Sequence, residues 1–319
     1  MTLSAVARFV VREVAYPGLL LASLVLAWAL DAGAPAAWWA VSGPVLLAAA
    51  LIACLERAAP FSPRWRVGLR ERVVRTDALH TASTALTSTL VEVVAWGGLA
   101  ALGARASAAL AAPLWPHGWP LPLQVALGLV VGELGTYAIH RWCHASPLGW
   151  RLHAMHHSAT RLNLLASGRN HPLQAALSYA AAVGPLVLLG AGGPTLALCT
   201  VFKAVNGLFQ HANIDTRSAW LGWVLASPDL HRWHHSVDLR EGNTNFGNNL
   251  IVWDLVFGTR HAPAGDRPGD EVGVAGVEFP ASFLGQLATP FLLPRWTAPA
   301  TGPVEERLPE PAGASAPAT

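Results

Sequence analysis

Charge is what this 319-residue chain lacks: Asp, Glu, Lys and Arg make up only 13% of it, about half the quarter usual for soluble domains. That scarcity argues against an ordinary soluble enzyme. Cysteine is also short, with Cys54, Cys143 and Cys199 isolated from one another, which excludes a disulfide scaffold and a thiolate-held iron–sulfur cluster. Lysine occurs once, at Lys203, the formal charge is +2, and no long basic tract exists, so nucleic acid is not an expected partner. The 29 Gly and 24 Pro follow no fixed period, which excludes collagen. What is plentiful is apolar surface, 53% of residues, and composition leaves a membrane protein.

Uncharged runs at 14–30 and 36–55 are long enough to cross about 30 Å of hydrocarbon at about 1.5 Å per residue. Asp31 and Pro35 predict a tight turn between them, and the absence of a small-residue cleavage site favours a retained hairpin over a signal peptide. Further spans are expected at 82–104 and 120–139, and a second hairpin at 173–189 and 194–209 turns through Gly190, Gly192, Gly193 and Pro194. This second hairpin either spans or dips in. Arginine gathers before the first span, between the second and third (Arg57, Arg64, Arg66, Arg70, Arg72, Arg75), and after the fourth (Arg141, Arg151, Arg161, Arg169). By the positive-inside rule these regions face the cytosol. The expected fold is all-α: a multi-pass bundle of about four to six membrane helices with a cytoplasmic helical cap. Three parts follow: membrane helices and an arginine-rich loop over 1–119, a central part over 120–262, and an extension over 263–319 that is disordered from about 296.

Eight of the thirteen histidines fall in three windows, His140-Arg-Trp-Cys-His144, His153-Ala-Met-His156-His157 and His231-Arg-Trp-His234-His235. His140 and His144 stand one helical turn apart and continue a stripe through Glu133 and Tyr137. Ser146-Pro147 and Ser227-Pro228-Asp229 read as starts of two short helices carrying the other windows. Eight imidazoles held together repel when protonated and need many partners when neutral; a cation resolves both problems. Zinc takes four ligands and octahedral iron at most six, so eight donors imply two metals, while imidazole alone does not choose among iron, copper, zinc and nickel.

These windows, with Arg169-Asn170-His171-Pro172, the segment His211-Ala212-Asn213-Ile214, and the stretches Asn245-Phe246-Gly247 and Trp253-Asp254-Leu255-Val256-Phe257-Gly258-Thr259, resemble the fatty acid hydroxylase/sterol desaturase superfamily over about residues 120–262. The resemblance implies an integral-membrane oxygenase that oxidises a lipid C–H bond, by hydroxylation or desaturation, using O2 and two iron ions, with zinc able to replace iron in purified protein. It implies His140, His144, His153, His156, His157, His231, His234 and His235 as ligands, with His171 and His211 as additions. Glu133, Asn213 and Asp254 are candidates for orienting the ligand rings. Gln174 departs from a family position that is often Glu. A Glu133–Lys203 pair beneath the metals is a further expectation.

No flavin, nicotinamide or haem fingerprint is present, so electrons must come from a separate reductase. A membrane zinc hydrolase is the alternative, but His-Glu-x-x-His with its general-base glutamate is missing. A metal transporter or sensor would place ligands near the bilayer midplane, whereas these stand past the helix ends. The remaining expectation is a bacterial inner-membrane enzyme with its site on the cytoplasmic side. His80, His117 and His261 read as structural or surface residues.

Overall fold

Apolar runs interrupted by short arginine-rich links fold here into helices packed side by side, in a computed structural model that describes residues 4–31, 38–110, 112–217 and 219–292. The turn expected at Asp31–Pro35 lies mostly outside these residues, as does the tail from about 296. Among the described residues four helices are long and apolar enough to cross a membrane: α1 (Ala5–Ala29), α2 (Trp38–Ala58), α3 (Arg72–Ala109) and α4 (Leu121–Ala145). Among the described residues no strand forms, only two isolated bridges, so the all-α expectation holds. The 38 residues of α3 extend about 57 Å at 1.5 Å per residue, well beyond one bilayer core. Part of it therefore extends beyond the hydrocarbon.

The second hairpin is α6 (Pro172–Leu188) and α7 (Gly193–His211), turned at Gly190 with φ +82°; a short helix α5 (Pro147–His157) precedes it. Near its start, Thr195 of α7 donates to Gln124 at the beginning of α4 (3.4 Å), and its last residue, His211, reaches the histidines at α4's other end. The second helix of the hairpin thus runs alongside α4 from near its start to its histidine end. Backbone contact makes this packing close. A Cβ on Gly135 would sit 2.1 Å from the Ala181 carbonyl, and one on Gly132 would sit 2.7 Å from that of Ala182. Both positions of α4 therefore require glycine against α6. On the opposite side Tyr16, Ile52, Val201 and Phe209 share one core, with Tyr16 edge-on to Phe209 at 5.2 Å.

Past His211 the chain continues through α8 (Pro228–His234) and α9 (Leu239–Gly242), returns along α4 as α10 (Val252–Phe257), and ends its described part in α11 (Phe283–Leu292). Arg232 pins α8 down. Its buried guanidinium donates to the carbonyls of Ala212 and Ile214 and to Asp229, and lies 4.4 Å from the Phe61 ring centroid. Linking α9 to α10, residues 244–251 descend between α4 and α7. Glu133 of α4 accepts from the backbone N–H groups of Asn248 and Asn249 and from Asn249 Nδ2. Asn206 of α7 donates to the Asn248 carbonyl (3.2 Å) and accepts from the Tyr16 hydroxyl (2.6 Å). The expected Glu133–Lys203 pair is an attraction at a distance and not a contact, since each charge acts on the other without touching it. No ion pair joins them among the described residues, because the carboxylate is taken up by the N–H groups of Asn248 and Asn249.

Candidate metal centre

Three short helical segments converge where α4 leaves the bundle. The stripe on α4 is as expected: Glu133, Tyr137, His140 and His144 are all buried. Ser146 caps α5 by accepting from the Gly149 N–H at 3.0 Å. Ser227 starts α8 as expected, but its hydroxyl makes no capping bond. Nine histidines assemble into two groups, each with donor nitrogens within 4.8 Å of one another: His140, His144, His153, His157 and His234 in one, His156, His211, His231 and His235 in the other.

Helical geometry splits each H-x-x-H-H window between the groups. On α5 the one-turn pair His153 and His157 faces the first group, and His156 faces the second. On α8 the assignment reverses: His231 and His235 face the second group and His234 the first. The two windows therefore interlock.

Backbone carbonyls fix which nitrogen is free. His140 Nδ1 donates to the Phe246 carbonyl (2.7 Å), His234 Nδ1 to that of Thr244 (2.7 Å), His156 Nδ1 to that of Arg169 (3.3 Å) and His211 Nδ1 to that of Gly207 (3.1 Å). A carbonyl only accepts, so each Nδ1 carries the proton and each Nε2 presents a lone pair. His156 and His211 then face each other Nε2 to Nε2 at 3.2 Å, which is not a hydrogen bond between neutral rings in those tautomers. The neighbouring Nε2 separations, His231 to His211, His235 to His156 and His235 to His231, are each 3.1 Å. Nitrogens about 2.0–2.1 Å from a tetrahedral ion stand about 3.3–3.4 Å apart. In the first group His144, His157 and His234 keep a buried Nε2 with no partner in the protein, each costing about 1–3 kcal/mol unless it binds something. The donor set fits two metal ions.

Burial, and after it the charge each ring would feel from its neighbours, hold His156, His157, His231 and His235 well below the ordinary histidine value. They are neutral, the ligating form, near pH 7. Trp150 packs against His144 (5.3 Å) and His157 (5.4 Å), and Phe246 against His144 (5.2 Å) and His234 (5.9 Å). These rings wall the first group from water.

His171 is a correction: it joins neither group. Preceding Pro172, its backbone is extended, and its Nδ1 turns back to accept from the Leu173 N–H at 3.2 Å as the cap of α6. The Asn213 side chain spends its hydrogen bonds on the Ser62 backbone (2.9 and 3.0 Å) and makes none to a histidine ring among the described residues. Asp254 acts one step removed. It accepts from the N–H groups of Phe246 (2.8 Å) and Gly247 (2.7 Å) and from the Thr259 hydroxyl (2.6 Å), and so holds the carbonyl that orients His140. Glu133 clamps the same strap two residues further on. Gln174 is buried beside His153. Of the histidines set aside, buried His80 bonds Gln286 at 2.8 Å, and His261 packs edge-on to Trp233.

Sequence reasoning missed Asp77. It pairs with Arg169 at 2.7 Å, both side chains almost fully buried, while Arg169 also donates to Ser158 Oγ at 2.6 Å and lends its carbonyl to His156. Gly168 allows this approach, since a Cβ there would sit 2.3 Å from Thr81 Oγ1. The available signal was an acid following a run of arginines, Arg64 to Arg75.

A family model for fatty acid hydroxylases matches residues 125–259. The chain is 40% identical over 248 residues to an ornithine lipid hydroxylase of Rhizobium tropici, covering 76% of this chain and 72% of that protein. It is 27% identical over 147 residues to an alkylglycerol monooxygenase of Xenopus tropicalis, covering 44% of this chain and 31% of that protein. With a methylsterol monooxygenase of Aspergillus fumigatus it shares 26% identity over 158 residues, 47% of this chain and 51% of that protein. No solved structure matches it.

Proposed function

The chain belongs to the fatty acid hydroxylase family, and from that premise we propose that its two histidine groups hold two iron ions for the O2-dependent hydroxylation of a membrane lipid. The observation that carries this is the pairing of nine buried imidazoles into two donor sets with their lone pairs turned inward. The balanced reaction is R–H + O2 + 2e⁻ + 2H⁺ → R–OH + H2O; removal of a second hydrogen instead would give desaturation. Bound iron supplies O2 activation and C–H oxidation.

The protein's residues do the rest. His140, His144, His153, His157 and His234 form one ligand set, and His156, His211, His231 and His235 the other. Carbonyls of Phe246, Thr244, Arg169 and Gly207 set the tautomers. Trp150 and Phe246 exclude water, and no separate acid or base is assigned. The catalytic part is 120–262, flanked by the N-terminal helices and the C-terminal extension. Two electrons per turnover come from a separate reductase. Arginine bias supports a site on the cytoplasmic side, and the bacterial origin of the Rhizobium relative supports an inner membrane. The name of the Rhizobium relative favours an ornithine-type lipid as substrate.

Lipid mass spectrometry of cells with and without the chain tests this. A lipid gaining one oxygen is the expected result, loss of two hydrogens indicates desaturation, and an unchanged lipid profile with the protein present and iron-loaded overturns the reading.

A further inference from the structure

After α4 carries the chain out of the bundle, residues 246–257 bring it back. Trp253 Nε1 donates to the Val130 carbonyl at 3.2 Å. Val130 stands about 14 Å along α4 from Leu121 and about 22 Å before Ala145 at 1.5 Å per residue, near the middle of a core roughly 30 Å thick. Further along the same face Phe257 stacks on Tyr137, with centroids 5.4 Å apart and planes at 16°. α10 therefore lies along α4 from mid-bilayer toward the histidine end. Its outer side is bare and apolar: Leu255, Val256 and Phe257 are exposed, Val256 by 62%.

The neighbouring turn, Ala219–Trp223, is tied to this segment through Ile251 N–H to the Val224 carbonyl (3.1 Å) and Ala226 N–H to that of Asn249 (2.9 Å). It exposes Trp220 and Trp223, with the Arg260 guanidinium 3.9 Å from the Trp223 ring centroid. Tryptophan beside arginine suits the headgroup layer. Non-helical backbone survives at membrane depth only where protein answers its polar groups. Here Glu133, Asn206 and Asp254 do so.

We propose that residues 246–257 form a re-entrant segment. Its outer face, Leu255, Val256 and Phe257, contacts the acyl chains of a phospholipid bilayer, and Trp220 and Trp223 stand at headgroup depth. This rests on α4 spanning the membrane and not on the chemistry of the metal centre.

The test uses the full chain in phosphatidylethanolamine/phosphatidylglycerol vesicles, with the exposed Cys54 changed to Ser. Nitroxide labels are placed at Val256→Cys, at Leu134→Cys on the exposed side of α4, and at Arg240→Cys on α9. Collision rates with O2 and with a water-soluble nickel chelate are then compared. The O2-to-nickel ratio at Val256 is expected to match that at Leu134 and to exceed that at Arg240 several-fold, with Trp220→Cys between them. A Val256 ratio equal to that at Arg240 overturns the proposal. A nickel-accessible Leu134 label overturns the span reading beneath it. If Val256→Cys does not fold, Leu255→Cys carries the same comparison.

Discussion

The two histidine groups draw on the same windows in opposite proportions, and they are held from different directions. The five-histidine group takes one-turn pairs from α4 and α5 and a single ring from α8. The four-histidine group takes its one-turn pair from α8, one ring from α5 and one from the end of α7. The first is oriented by carbonyls on the strap 244–249, which Asp254 and Glu133 clamp. The second is oriented by the Arg169 carbonyl, anchored through Asp77, and by the Gly207 carbonyl within α7. One site thus depends on a loop clamped by carboxylates and the other on a buried ion pair and a helix. The difference teaches that the two donor groups have separate supports, and so predicts that each can be disrupted without the other.

The largest effects come from the ligands themselves. His231→Ala leaves three imidazoles in the four-histidine group, whereas His144→Ala leaves four in the other. Metal analysis should show His231→Ala falling from two equivalents toward one, with activity down more than about 100-fold, and His144→Ala keeping more metal. Equal losses would show that the fifth ring of the larger group is no spare donor.

Next come the supports. Asp77→Asn strands the buried Arg169 charge, at a cost of about 3–5 kcal/mol in stability, read as a lowered midpoint in denaturant. Asp254→Ala frees the strap and should weaken one metal equivalent by about 10–100-fold in competition with a chelator, leaving the other in place. Loss of both metals in Asp254→Ala would join what the comparison separates.

Acid acts gradually, one ring at a time. His156, His157, His231 and His235 are held below the ordinary value when folded, so the unfolded chain takes up protons first as pH falls below about 6.5. Metal-free protein should therefore be most stable above that pH and lose up to about 1.4 kcal/mol per ring for each further pH unit. Equilibrium unfolding from pH 7.5 to 5.5 checks the slope, with His235→Gln making it shallower.

The smallest effect lies away from both groups, at Asp215. Burial pushes its carboxyl up, but hydrogen bonds from Arg267 and Arg12 more than offset this and hold it below the ordinary value. Its contribution is present above the unfolded carboxylate value and is lost as pH falls through the folded one. With both arginines partly exposed, Asp215→Asn should cost only about 0.2–1 kcal/mol in denaturant unfolding at neutral pH and leave metal content unchanged.

Much of this was legible residue by residue. Apolar runs announced the helices, and the i, i+3, i+4 spacing of His153, His156 and His157 announced donors on one helix side, because both signals are local and periodic. His171 misled because a histidine before proline also makes a helix cap, and the sequence does not say which way the ring turns. Asp77 and Asn206 were missed because their partners stand far along the chain, Arg169 and Asn248. The orienting groups on Phe246 and Thr244 are backbone carbonyls, which no side-chain pattern reveals.

By itself the sequence determined that the chain is helical and membrane-bound and carries enough clustered imidazole for two metals, since length, hydropathy and helical period act over one or two turns. Only the tertiary structure decided how the nine rings divide, that Glu133 serves a descending strap instead of Lys203, and that His171 stands aside. Those outcomes depend on which distant segments share a buried space, where each polar atom must find a partner because water is absent.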